Sequence, residues 1–352
     1  MPEISAIMSV YNGEAYLKEA IDSVINQTFV DWELIIINDC STDSTEDILS
    51  AFAEKDKRIK VYTNEVNMKL PASLNRAISL CSGKYIARMD ADDICLPDRF
   101  EKQYRFMKDN KDVSLSSCRF MTMKNGVYAS GGAGGRCDND ALRAMLLVAN
   151  PILHPGVIAK SDVMKRFGYD TTLTCTEDLE LWTRMAMADQ KIQIQPECLL
   201  IYRLHDKQIT STTLVRQHTE VLKIQNKYYS ELLGEMPSHL QDFYISGIYF
   251  KEFPDMEKFS EYAKWLKHKY VGKFNKQAIS YALFEVLAEY KRRGMSKASV
   301  LKAMLNFNPC FLVKEIFRRK QTANKDIKKC MEVAERIGLK QTSGTKAYPI
   351  FE

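Results

Sequence analysis

At 352 residues, with 45% apolar and 27% charged side chains, the chain has the make-up of a soluble globular protein and length for one large domain or two modest ones. Nine cysteines (40, 81, 95, 118, 137, 175, 198, 310 and 330) form an odd set with no Cys-x-x-Cys pair, which argues against structural zinc and disulfides and for a reducing compartment. The net charge of +5 is uneven: residues 291–340 hold fourteen Lys and Arg against four Asp and Glu, so the rest of the chain is net acidic.

The start of the chain lacks a signal-peptide pattern, and no stretch nears the roughly 18 apolar residues of a membrane span. A cytoplasmic protein is the expectation. Ile4–Val10 reads as a first strand, followed by a Tyr11-Asn12-Gly13 turn and a helix with Leu17, Ala20, Ile21, Val24 and Ile25 on one face. Glu33–Asn38 is a strand suited to burial on both faces, closed by the polar run Asp39–Glu46, where Asp43 or Ser44 can cap a helix to about Lys55. A third strand, Arg58–Thr63, precedes a helix from Pro71 to Cys81. A fourth, Tyr85–Met89, runs into Asp90, Asp92 and Asp93. Four strand–helix alternations predict an α/β fold with a mainly parallel sheet covered on both faces, and ligands gathered where strands one, two and four end.

Three carboxylates at one strand end repel one another, and a hard divalent cation, Mg²⁺ or Mn²⁺, is the usual compensation. Strand alternation would aim Asp90 and Asp92 the same way and turn Asp93 aside. The plainer reading is an acidic turn, with Asp98 capping the next helix. Neither a G-x-G-x-x-G after strand one nor a G-x-x-x-x-G-K-[ST] is present, so a dinucleotide cradle and a P-loop are not expected. Tyr11 can stack on a base and Asp39 can accept from a base or ribose; equally, they suit a turn aromatic and an Asx turn.

Residues 113–128 read as further strand, and Ser130–Arg136 as a glycine-rich surface loop or a gate. A helix over Ala141–Ala149 stops at Asn150-Pro151. His154-Pro155-Gly156 leads into a strand at Val157–Ala159 and a helix from Ser161 to Phe167. Glu177 and Asp178 open the next helix, whose apolar face carries Leu179, Trp182, Met185 and Ala186. The acidic pair is either a dipole-stabilising start or a carboxylate placed as general base. His154 is open to a structural or a functional reading, and His205, just past a strand at Glu197–Arg203, to a surface or a ligand one.

These pieces resemble the inverting family 2 glycosyltransferases, nucleotide-sugar enzymes of the Rossmann-like GT-A fold. The likeness rests on Ile4–Asn12, Glu14–Leu17, Ser23–Thr28, Ile36–Asp43, Ala87–Asp93, Glu177–Trp182 and Tyr202–His205, across roughly residues 3 to 210. It implies a domain over 1–213, a nucleoside-diphosphate sugar donor, an Mn²⁺ or Mg²⁺ ion and an acceptor hydroxyl on a glycan or lipid-linked glycan. By position, Tyr11 and Asp39 would hold the nucleobase, Glu14 the nucleoside side, and Asp90 the ribose or donor sugar. Ser9 and Arg88 fall in the same donor motifs, Asp92 and His205 match the metal position, and Asp178 matches the base. His154, Glu177 and Trp182 are acceptor-site candidates. Where the family commonly has Asn-x-Gly, this chain has Asn67-Met68-Lys69, and Lys69 faces either a phosphate or solvent.

From about Leu214 helical patterns take over, to about residue 340, with a disordered tail expected at 341–352. Ser296–Phe307 and Pro309–Lys320 read as basic amphipathic helices, either solvated or lying on an anionic membrane surface, here the inner face of the cell membrane. Two other classes compete. A metal-dependent nucleotidyltransferase would normally carry a glycine-rich basic phosphate loop that this sequence lacks, and a non-enzymatic RNA- or membrane-binding protein would work through the basic helices alone. Under the leading reading no nucleic-acid partner is expected.

Overall fold

A computed structural model describes residues 1–131, 138–173, 175–205, 214–244, 247, 256–270, 276–292, 294–296, 298–300, 302–303, 328 and 332. The chain opens with β1 (Ile4–Val10), α1 (Leu17–Ile25), β2 (Trp32–Asn38), α2 (Thr45–Lys55), β3 (Ile59–Thr63), α3 (Leu70–Leu80) and β4 (Tyr85–Arg88). These four strands lie side by side in the order β3-β2-β1-β4, all parallel. Alternation divides their side chains between two cores. Ile7, Ile35 and Ile37 face Leu74, Ala77 and Ile78 of α3, while Ile4, Ala6, Met8, Leu34 and Ile36 pack with Leu17, Ala20, Ile21 and Val24 of α1. The uninterrupted apolar centre of β2 follows from this burial on both faces.

The second half of the sheet mixes directions. After β5 (Ile94–Cys95) and α4 (Arg99–Asp109) come β6 (Leu115–Lys124), β7 (Val127–Gly131), α5 (Asn139–Met145), a single 3₁₀ turn at His154–Gly156, β8 (Ile158–Lys160), α6 (Ser161–Phe167), α7 (Glu177–Met187) and β9 (Ile192–Arg203). β8 runs antiparallel between β4 and β6, β9 lies parallel to β6, and β5 closes the edge antiparallel to β9. The result is a mainly parallel α/β sheet of the GT-A type.

Three local readings change. The strand expected over 113–128 is a hairpin, β6 and β7, turned at Asn125-Gly126, where both residues have positive φ (51° and 76°), the conformation two-residue hairpin turns require. The helix expected to reach Ala149 ends at Met145. Tighter turns then close by bonds from Leu147 N–H to the Ala144 carbonyl and from Val148 N–H to the Met145 carbonyl, ahead of Pro151. The last strand begins at Ile192 rather than Glu197, its pairing with β6 interrupted by an irregularity next to Pro196.

Beyond β9 the described elements are helical: α8 (Leu214–Leu233), α9 (Ser238–Phe243), α10 (Met256–Tyr270) and α11 (Lys276–Arg292). Tyr228, Tyr244, Leu283 and Leu287 of this region join Leu142, Leu146, Trp182 and Ile7 in one continuous core. The helix expected over 309–320, residues 132–136 of the expected glycine-rich loop, and the tail from 341 lie outside the described residues. Among those described, no helix is long and apolar enough to cross a membrane.

Candidate active site

Parallel order puts the ends of β1, β2 and β4 on one edge. The loops there are tied together: Asn12 N–H donates to Ser41 Oγ (3.0 Å), Thr42 N–H to Asn12 Oδ1 (2.8 Å), and Glu14 N–H to Asp43 Oδ2 (3.1 Å). Glu14 returns the contact by accepting from Ser44 N–H at 3.0 Å. Tyr11 stands 51% exposed above this base, and Ser9 is half-buried beneath it. Asp39, by contrast, is buried and committed to the protein. It accepts from Asn64 Nδ2 (2.7 Å), Met68 N–H (2.8 Å) and Lys69 N–H (2.9 Å). That hold keeps Lys69, an exposed residue, at φ 71° and ψ 164°, a conformation that favours glycine.

β4 ends one residue before the acids, so Asp90–Asp93 form a turn rather than a strand end. Strand alternation therefore does not send Asp93 away. Carboxylate oxygens of Asp90, Asp92 and Asp93 all lie within 4.8 Å of one another. Arg88, buried, grips Asp90 with both terminal nitrogens, at 2.6 and 2.5 Å. Burial pushes the Asp90 carboxyl up to about 6, the charges of Asp92 and Asp178 adding to it against the pull of Arg88. Burial, then Asp92 and Asp90, raise Asp93 well above the carboxylate range.

Strand β9 completes the turn from far along the chain. Arg203 N–H donates to Asp93 Oδ1 and Arg203 Nε to the Asp92 carbonyl, both at 2.9 Å, and His205 Nε2 sits 2.9 Å from Asp92 Oδ2. Tyr16 packs under both, with the Arg203 guanidinium 4.5 Å from its ring and the His205 ring at 5.0 Å. Glu19 pairs with Arg203. Sequence alone assigns Tyr16, Glu19 and Arg203 no individual role; Tyr16 and Arg203 fall within the Glu14–Leu17 and Tyr202–His205 motifs, and Glu19 has no local sign.

The helix that opens with Glu177 and Asp178 comes to the same place. Asp178 Oδ1 accepts from Leu179 N–H and Oδ2 from Asn150 Nδ2, each at 2.7 Å. Burial raises its carboxyl, opposed by those two hydrogen bonds and by Arg88. Glu177 is 4% exposed, its Oε2 has no hydrogen-bond partner, and burial with the Asp178 charge lifts it to about 7. The acceptor-site candidates lie inside the protein rather than along an open wall. Trp182 is fully buried, and His154 sits with Nε2 2.8 Å from Tyr169 Oη, Nδ1 3.9 Å from Glu177, and its ring edge-on to Trp182. Burial, with Arg88 beside it, keeps His154 neutral to well below its ordinary value.

The residues fit a hard divalent cation. Three clustered carboxylates, a neighbouring imidazole and a buried Asp93 Oδ2 without a hydrogen-bond partner are oxygen-rich donors with too little positive charge among them. The site thus joins an acidic turn fitted to a cation with a second pair of carboxylates at the start of α7. The profile described as Glycosyl transferase family 2 matches residues 5–156. An uncharacterized glycosyltransferase of Methanocaldococcus jannaschii is 36% identical over 209 residues, 58% of this chain and 72% of the relative. The O-antigen biosynthesis glycosyltransferase WbnJ of Escherichia coli is 35% identical over 217 residues, 60% of this chain and 83% of its own. Among solved structures, S. aureus TarS 1–349 in complex with UDP has a TM-score of 0.55 at 16% identity, covering 90% of this chain and 92% of that one. This chain belongs to the family 2 glycosyltransferases.

Proposed function

We propose that the protein is an inverting transferase that moves a sugar from a nucleoside diphosphate, UDP being the first to test, onto a hydroxyl of a growing surface polysaccharide or lipid-linked glycan. One observation carries the reading: carboxylate oxygens of Asp90, Asp92 and Asp93 lie within 4.8 Å of one another in the turn after β4, with His205 Nε2 2.9 Å from Asp92. The O-antigen role in the name of the E. coli relative supports the acceptor class, and the UDP in the similarly folded TarS supports the nucleotide. Tyr11 then stacks on the base, with Asp39, Glu14 and Ser9 shaping its pocket. Lys69 reaches the diphosphate, and Arg88 and Asp90 meet the ribose or donor sugar. Asp92 and His205 hold the Mn²⁺ or Mg²⁺, which when bound supplies counter-charge for the departing diphosphate. Asp178 takes the proton of the acceptor hydroxyl as that oxygen bonds to the anomeric carbon from the face opposite the leaving group. One displacement inverts the configuration. His154, Glu177 and Trp182 support the acceptor side from beneath.

A screen of nucleotide sugars for Mn²⁺-dependent hydrolysis identifies the donor. With that donor, Asp178→Asn is expected to lose ~10²-fold or more in turnover while calorimetry shows donor affinity retained. Asp92→Ala is expected to lose the metal-dependent part of that affinity. Parallel loss of donor binding in Asp178→Asn counts against the base role. The basic 309–320 segment is assigned to peripheral contact with anionic membrane. Flotation with anionic liposomes is expected to fall when Arg318, Arg319 and Lys320 are neutralised, and unaltered flotation rejects the contact.

A further inference from the structure

Asp178 occupies a contradictory position for a base. It must be ionised before the acceptor arrives, yet burial favours its neutral form, and Glu177 and Asp90 stand close by with charges of the same sign. Tyr169 and His154 stand in the same neighbourhood, and neither supplies positive charge, since burial keeps the phenol protonated and the imidazole neutral. Among the described residues the positive charge acting on Asp178 is that of Arg88, which is also engaged in two contacts with Asp90. Hydrogen bonding favours the carboxylate more than Arg88 does. One donor, Leu179 N–H, belongs to the helix itself; the other, Asn150 Nδ2, comes from a separate segment.

Resting on the base assignment above, we infer that Asn150 is a positioning residue that keeps Asp178 ionised and turned toward the acceptor. Its geometry suits the task. Pro151 restricts residue 150 to extended backbone. Asn150 Oδ1 accepts from Ile152 N–H at 3.3 Å, which leaves the amide nitrogen facing Asp178 Oδ2. With one donor on each carboxylate oxygen the plane of the group is fixed, and each oxygen keeps a second acceptor site for the incoming proton. An acceptor-only or apolar residue at 150 could not do this.

The test does not need the donor to be known. In protein labelled with ¹³C at the aspartate carboxyls, the Asp178 resonance is assigned by its loss in Asp178→Asn, and its titration is followed by NMR. Asn150→Ala is expected to move the midpoint upward by about one pH unit, because a hydrogen bond to the charged form is removed. Asn150→Asp, nearly isosteric and so informative even where the alanine variant folds poorly, is expected to move it further by adding a like charge. With a donor from the nucleotide-sugar screen, the acid limb of the kcat profile should shift in the same direction while donor affinity holds. An Asp178 titration unmoved in both variants overturns this inference alone. Full turnover in Asp178→Asn overturns the base assignment and this inference with it.

Discussion

Burial acts on the site residues in a direction that can be measured. The Glu177 carboxyl rises from its ordinary 4.5 to about 7, chiefly because its charge would be desolvated and secondarily because Asp178 is ionised beside it. Between those two values the folded protein holds a proton that the unfolded chain has released, so stability must fall as pH rises from about 4.5 to 7. Glu177→Gln removes that dependence. It is expected to unfold at higher denaturant than the native protein above pH 7, by on the order of 1–3 kcal/mol, with the gap closing as pH falls toward 4. Denaturant midpoints taken across the range decide it, and equal slopes for the two proteins rule it out. His154 works in the opposite sense, since a buried neutral imidazole costs stability as pH drops below its ordinary value. The acidic turn, the Glu177-Asp178 pair and His205 were readable from sequence because each stands where a strand or helix begins or ends. The contacts of Asn150 and Arg203 were not. A side chain that works by touching another 28 or 110 positions away leaves no local pattern.

At the scale of elements, the two ends of the parallel strands are built on opposite electrostatics. Where β2 begins, Glu33 is buried and ionised. Its oxygens accept from Ser5 Oγ (2.6 Å), Ser82 N–H (2.9 Å), Ser82 Oγ (2.7 Å) and Lys60 Nζ (2.7 Å), joining β1, β2, β3 and the turn before β4. Burial alone would raise this carboxyl; the donors, Lys60 first, hold it at about 2. The stabilisation is full above pH 4.5 and is lost as pH falls toward 2. Glu33→Ala is expected to cost about 2–4 kcal/mol in urea unfolding, since it leaves buried donors unpaired. It should spare donor affinity, because the acidic turn lies at the other end of the sheet. The order of elements was legible, as periodicity of 2 and 3.6 is a local property. The β6–β7 hairpin, the start of β9 and the two-residue β5 were not, because a short or interrupted strand is defined by its neighbour. The Asn-Gly at 125–126 was the one turn cue passed over.

Across the whole molecule, the helices after β9 share a core with the sheet. Tyr228 Oη donates to the Arg143 carbonyl (3.2 Å) and Tyr244 Oη to the Leu147 carbonyl (2.9 Å), while Glu220 accepts from Thr176 Oγ1 (2.8 Å), one residue before the Glu177-Asp178 pair. The helical region thus grips both segments that meet at Asp178. The acidic turn has a different dependence. Arg203 and His205 fasten it across more than a hundred residues, and β5 has β9 as its partner. Such distant closures come late in folding, after the contacts that cost little chain entropy. On the ribosome, β1 to β4 can therefore assemble while β9 has yet to be translated. A nascent chain stalled short of Ile201 would carry the formed edge of β1, β2 and β4 and an acidic turn still without its fastening.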